Sequence, residues 1–299
     1  MQKKSYLTAL AVCAAMTLSG CGGGGGDDNA ANGTSTSASG NPPPTSDGSS
    51  TSNNASASRS AIEGMWTGGW PSLSTQSNGW SNYSTQLIIL DNGSLFGTYG
   101  TLGSDQIYHI NGMLYGSGSV TNDGASTSLT VPVSGLFTQF DMSGSALPNV
   151  NHSFSGSAWS QFSLDITLDE GTLLPLSYAD SYDQAAQLSS VAGNYSSLSA
   201  ISGQNSFIQN NIIISGSTLT LPSDANGCSA NGTLTPHQTS HGVVGVFDAN
   251  LTFNGTGCLL GDGTTIQGVA FQSYDNQALE ILMVTPDSQT GYMLMGSRQ

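Results

Sequence analysis

Residues 86–100 read QLIILDNGSLFGTYG, and residues 210–221 read NNIIISGSTLTL. Each joins a branched apolar run to a second strand-like run through a tight-turn signal. Asp91-Asn92-Gly93 in the first and Ser215-Gly216 in the second are residue types that accept the positive φ of a short hairpin turn. Both stretches therefore predict β-hairpins. Each also follows a similar opening, SAIEGMWTG at 60–68 and SSVAGNYSS at 189–197. Both openings place an apolar residue, then glycine, then an aromatic two places on: Gly64/Trp66 and Gly193/Tyr195. Offsets of about 125–129 residues imply an internal repeat of two modules, each about 115 residues long.

Working outward, period-two alternation dominates both halves. QFSLDITL at 161–168 puts Phe162, Leu164, Ile166 and Leu168 on one face, and ALEILMVT at 278–285 reads as buried on both. TNDG, LDEG, GDG and YDN punctuate the runs as turns. About seven or eight strands per half give the signature of a barrel or a sandwich. The one helical pattern, YADSYDQAAQLSSVAG at 178–193, predicts a helix capped by Asp180 or Ser181 and stopped by Gly193, at the junction of the modules. The expected fold is all-β: two tandem small antiparallel barrels, with a pair of β-sandwiches as the alternative. The expected modules span 61–180 and 181–299.

The region before residue 61 is a different material. Lys3 and Lys4 precede an uncharged apolar run from Tyr6 to Leu18. That run is shorter than the roughly 20 residues of a spanning helix and suits a signal-peptide core. It ends in Leu18-Ser19-Gly20-Cys21. These four residues resemble the lipobox of bacterial lipoproteins, which implies cleavage after residue 20 and acylation of Cys21. Gly22, rather than aspartate, follows the cysteine; by the family's sorting pattern this implies the outer membrane, with the facing side open. Residues 22–60 contain no Val, Ile, Leu, Met, Phe, Tyr or Trp. They read as a disordered tether spanning about 35 Å root-mean-square. The expected organisation is a signal peptide at 1–20, then acylated Cys21 and tether at 21–60, ahead of the two modules.

Charge narrows the partners. A chain beginning at Cys21 keeps two basic side chains, Arg59 and Arg298, against 19 acidic residues, a formal charge of −17. It has nothing to neutralise phosphates, so nucleic acid is not an expected partner. Anionic lipid finds no basic patch either, so the membrane is reached through the acyl chains. Cys228 and Cys258 remain in an exported chain, where a disulfide is the simplest reading. A Cys2His2 zinc site with His237 and His241 would need the paired short spacings that two cysteines thirty residues apart do not supply.

The search for chemistry finds little. There is no G-x-S-x-G, no H-E-x-x-H, and no lysine after the signal for a Ser–Lys dyad or Schiff base. PHQTSHG at 236–242 reads as a loop with exposed His237 and His241, while His109 and His152 fall in strand-like segments. Asp169-Glu170 reads as a turn. No catalytic residue, metal ligand or cofactor is expected. The densest hint is WTGGWPSLSTQSNGWSNY at 66–83, with Trp66 in the core and Trp70, Trp80 and Tyr83 as candidate ligand-binding residues. Exposed aromatics in a polar loop suit glycan stacking or a protein hot spot; as a packed lid they only fill space.

Gly64 and Trp66 also resemble the G-x-W entry of calycin and lipocalin barrels, whose tryptophan closes the barrel floor; Tyr195 takes that place in the second module. A two-lobed lipidated body is similar to the surface lipoproteins that bind transferrin, but those are longer and lysine-rich, so no ligand carries over. The resemblances imply a non-enzymatic outer-membrane lipoprotein that binds a protein, glycan or small apolar ligand through its barrel loops. The alternatives are a structural envelope-assembly factor, or a periplasmic hydrolase or inhibitor with a site built from scattered Ser, Asp and His.

Overall fold

The computed structural model describes residues 59–69, 83–102, 108–118, 129–130, 133–139, 150–167, 173–202, 204, 207–272 and 278–299. The expected signal peptide, Cys21 and the expected tether lie outside these residues up to residue 58, as do Trp70, Trp80 and Asp169-Glu170.

The first module contains β1 (Gly64–Gly69), β2 (Tyr83–Ile89), β3 (Ser94–Leu102), β4 (Tyr108–Gly118), β5 (Leu129–Thr130), β6 (Val133–Gln139), β7 (Val150–Trp159), β8 (Ser163–Thr167) and β9 (Leu173–Tyr178). They form one antiparallel sheet in the order β5-β7-β6-β4-β3-β2-β1-β9-β8. The sheet curls until β8 also pairs with β7, from Ser155↔Thr167 to Trp159↔Ser163. The second module contains β10 (Gly193–Ile201), β11 (Ile208–Ser215), β12 (Thr218–Leu221), β13 (Ser229–Thr239), β14 (Gly242–Asn254), β15 (Thr265–Gln272), β16 (Ala278–Val284) and β17 (Gly291–Arg298). These eight close into an antiparallel barrel, β17 returning to β10. Closure removes the sheet edges and rules out the sandwich alternative for this module.

The two quoted hairpins are where the turn residues put them. Gly93 adopts φ +82° between β2 and β3, and Asn92 Oδ1 accepts the Ser94 amide at 2.8 Å. Gly216 turns β11 into β12, with Ser215 opposite Thr218. The run from Leu87 to Leu90 is buried on both faces because it has two cores to serve. Leu87 and Ile89 point into the first sheet's interior with Trp66, Leu95 and Leu164. Ile88 and Leu90 point outward, with Phe96, Met113 and Tyr115, against Val246, Phe271, Leu282 and Met293 of the second barrel. On β16, likewise, Leu279, Ile281 and Met283 fill the barrel while Leu282 faces the first module. Close approach fixes residue size at this seam. A Cβ on Gly291 would lie 2.8 Å from the Tyr115 ring and 3.2 Å from Met113 Sδ.

The junction departs from the sequence reading. Residues 178–193 do not form one helix. A 3-10 turn, Asp180–Asp183, is followed by an extended stretch and a single α-turn, α1 (Leu188–Val191), and neither has a side-chain cap. Tertiary contacts win over local propensity here. Ala179 N bonds Met65 O at 2.8 Å, Ala186 N bonds Val244 O at 2.9 Å, and Tyr182 is fully buried between the modules. Those bonds hold the connection extended across both sheets.

Candidate functional site

Both modules have the same floor. Trp66 Nε1 donates to Ile62 O at 2.8 Å, and Tyr195 Oη donates to Val191 O at 2.8 Å. In each case a buried aromatic reaches the carbonyl four residues earlier. The pairing partner is equivalent as well: Trp66 stands opposite Tyr178, and Tyr195 opposite Arg298. Tyr178 packs edge-on to Trp66 at 5.2 Å, with Arg59 over its outer face at 5.4 Å. Arg298 lies 5.5 Å from the centre of the Tyr195 ring and bonds its hydroxyl at 3.0 Å. The chain's two arginines, Arg59 and Arg298, thus cover the two floors.

At the opposite end of the second barrel a cavity of about 190 Å³ opens. Its walls include Ser199, Ile201, Leu221, Ala230, Phe253 and Tyr292, all buried. The disulfide Cys228–Cys258 ties the loop entering β13 to the loop leaving β14 at this rim, with Leu259 59% exposed beside it. Asn210 Nδ2 donates to Ser199 Oγ at 2.7 Å. Burial pushes the Tyr292 phenol up to about 12, so it stays protonated and neutral. Asp224 is the charged side chain on the described wall, and its Oδ1 is occupied by the Asn226 and Cys228 amides at 2.8 and 2.9 Å. One pleat deeper, the Ser197 hydroxyl is buried without a hydrogen-bond partner among the described residues. Toward the floor the barrel is filled by Tyr195, Ile212, Phe247 and Leu294.

A wider cleft, about 680 Å³, runs along the junction beside Met65, Tyr178 and Phe247. Its linker walls, including Asp180, Gln184 and Gln187, are exposed. That lining is as polar as it is apolar, whereas the walls of the mouth are mainly apolar, so the barrel mouth is the stronger binding geometry.

The histidines correct the sequence reading. His237 is not in a loop; it lies on β13, buried, where the register against β14 shifts between Pro236 and Gln238. Its Nδ1 faces Asp248 at 2.7 Å and its Nε2 faces Asp91, on the first module's hairpin, at 3.3 Å. The hydrogen bond to Asp248 raises its pKa, against the opposing effect of burial. His241 sits in the turn between β13 and β14. With one ring nitrogen of His237 facing a carboxylate of its own barrel and the other facing a carboxylate of the first module, the three side chains form a clamp between modules. Next to it, burial raises the Glu63 pKa while Arg59 lowers it from 3.5 Å. Tyr182, whose pKa burial also raises, donates to Glu63 at 3.4 Å.

Of the site residues expected from sequence, Cys228 and Cys258 are joined. Tyr83 opens β2 opposite Thr101, and Cys21, Trp70 and Trp80 lie outside the described residues. The mouth residues Ser199, Asn210 and Tyr292 were not anticipated. Their signal was the inverted alternation of SSLSAI at 196–201, where Ser197 and Ser199 are buried and Leu198 is 49% exposed. No protein-family model matches the chain, and no curated protein or solved structure matches it either.

Proposed function

We propose that this chain is a lipid-anchored outer-membrane protein that binds a small, uncharged, mainly apolar molecule in the mouth of its second barrel. The mouth cavity carries the reading: apolar walls converge on the hydrogen-bonding side chains Ser199, Asn210 and Tyr292. An uncharged ligand follows from the wall chemistry. The described wall offers a carboxylate and no cation, and a mature charge of −17 repels anions. The volume corresponds to about six waters, which sets the scale of the occupant or of the group it inserts. The lipobox-like Leu18–Cys21 stretch and the following segment without large apolar side chains support attachment through acylated Cys21. The G-x-aromatic floors support a calycin-like plan for both barrels.

The test is a thermal-shift screen of small neutral alcohols, amides and phenols against the wild type and Ile208→Trp, which fills the rim. A ligand that raises the melting temperature of the wild type alone supports the mouth site. Equal shifts in both proteins, or no shift with any compound, reject it.

A second reading places glycan or protein capture on Trp70, Trp80 and Tyr83. The sequence supports it, because Trp70, Trp80 and Tyr83 gather three aromatic rings within fourteen residues. Alanine at Trp70 and Trp80 then abolishes capture without lowering the melting temperature; unchanged capture rejects this site.

A further inference from the structure

Trp159 and Phe162 are the most exposed large hydrophobic side chains among the described residues, at 63% and 66%. They occupy the tip of the β7–β8 hairpin, where Phe162 N bonds Trp159 O at 2.9 Å and Gln161 adopts φ +55°. Their rings meet edge-on at 5.2 Å, so the pair presents one continuous aromatic knob. Together they expose on the order of 300 Å² of ring surface, the size of the largest apolar patch on an ordinary monomer.

The knob stands at the floor end of the first module. Tyr178 N bonds Phe162 O at 3.1 Å, and Gln161 Nε2 reaches Asp183 Oδ2 at 3.4 Å. The same Asp183 carboxylate receives Arg59 at 2.7 Å. Arg59, the first described residue, shares the Asp183 carboxylate with Gln161 of the aromatic tip. Thirty-seven residues separate Cys21 from Arg59. At the span expected from their composition, about 35 Å, an anchored body reaches the bilayer surface continually.

From this placement we infer that the Trp159/Phe162 tip is a membrane contact that seats the tethered body on the interface of a zwitterionic bilayer. The inference rests on the lipid-anchor reading of Cys21. Aromatic rings with an apolar body favour the headgroup–acyl boundary. Charge selects the lipid. Asp180 and Asp183 stand near the tip, Arg59 is already paired, and the mature chain carries −17, so an anionic surface repels it. Two rings give a reversible seat that adds to the acyl chains and does not replace them.

The full-length lipoprotein, reconstituted into phosphatidylcholine vesicles with brominated or ordinary acyl chains, tests this. Trp159 emission is taken as the difference between wild type and Trp159→Phe. The expected result is a blue shift, loss of intensity in brominated vesicles and loss of quenching by aqueous iodide; Phe162→Ser, which leaves Trp159 in place, weakens all three. Mass spectrometry of the mature N-terminus reads the anchor separately. Acylated protein whose Trp159 stays open to iodide and is untouched by bromine overturns the membrane contact alone. Trp159 shielded from iodide without bromine quenching is buried against protein and overturns it equally. A chain without acyl groups on Cys21 overturns the anchor, and with it the seating that depends on it.

Discussion

The two modules share a floor plan and differ in how they are held. In the first, Trp66 seals the base with Tyr178 and Arg59, two layers of ring and cation contributed by distant parts of the chain. In the second, Tyr195 does so with Arg298 from its neighbouring strand, and a disulfide secures the far end. The second barrel can therefore carry a cavity at its mouth, because covalent closure of the rim compensates for missing core. The outer faces differ too. Ile88 of the first module's hairpin is fully buried against the second barrel, whereas Ile213 of the matching hairpin is 39% exposed. The two modules thus meet asymmetrically, each lending one face to a shared core.

Several substitutions probe this asymmetry. Trp66→Ala removes a fully buried ring and its bond to Ile62, and should cost about 3–5 kcal/mol; a chemical melt reads it. Replacing Cys228 and Cys258 by serine reopens a thirty-residue loop and should cost about 3–4 kcal/mol in the second module. At the seam, Gly291→Val drives side-chain atoms into Tyr115 and Met113 and should cost about 1–3 kcal/mol. Tyr195→Phe leaves the ring and loses the bonds to Val191 and Arg298, for about 1 kcal/mol. A cost for Tyr195→Phe as large as that for Trp66→Ala would erase the difference between the floors.

The smallest effect is the most diagnostic of the clamp. Because the folded-state pKa of His237 is raised, its stabilisation is complete below the ordinary histidine value and fades as pH rises through the raised one. His237→Gln should therefore cost up to about 1 kcal/mol in mildly acid solution and progressively less in alkaline solution. The facing groups are Asp248 on the same barrel and Asp91 on the other module. A pH-independent cost would mean that the imidazole acts by packing alone.

Much of this architecture was legible in the residues. Asp91-Asn92-Gly93 announces its turn because Gly93 alone accepts the required φ cheaply. Leu279 to Met283 announces burial on two faces because apolar residues stand on both of its sides, Leu279, Ile281 and Met283 on one and Leu282 on the other; the Glu280 beside Leu282 is buried with them. What covers the outer face is a tertiary fact, and no local pattern carries it. The linker misled for the same reason: its helical pattern is real, but backbone bonds to Met65 and Val244 hold it extended. His237 misled because Pro236 and Gly242 look like loop residues, yet β13 tolerates the proline at a register shift. The mouth cavity was hidden because Ser199, Asn210 and Tyr292 are ordinary residue types in a chain rich in all three. Their burial depends on barrel closure. Phe162 was expected on one strand face with Leu164 and Ile166, but β8 begins one residue later and leaves it at the tip.

The two modules form one body through a shared core. The protein's four tryptophans, Trp66, Trp70, Trp80 and Trp159, all belong to the first module. Urea unfolding followed in parallel by tryptophan fluorescence and by hydrogen exchange of β16 peptides therefore reads the modules separately. Coincident transitions are the expected result, with Gly291→Val shifting both together. Two separated transitions, the tryptophan signal lost while β16 stays protected, would contradict it.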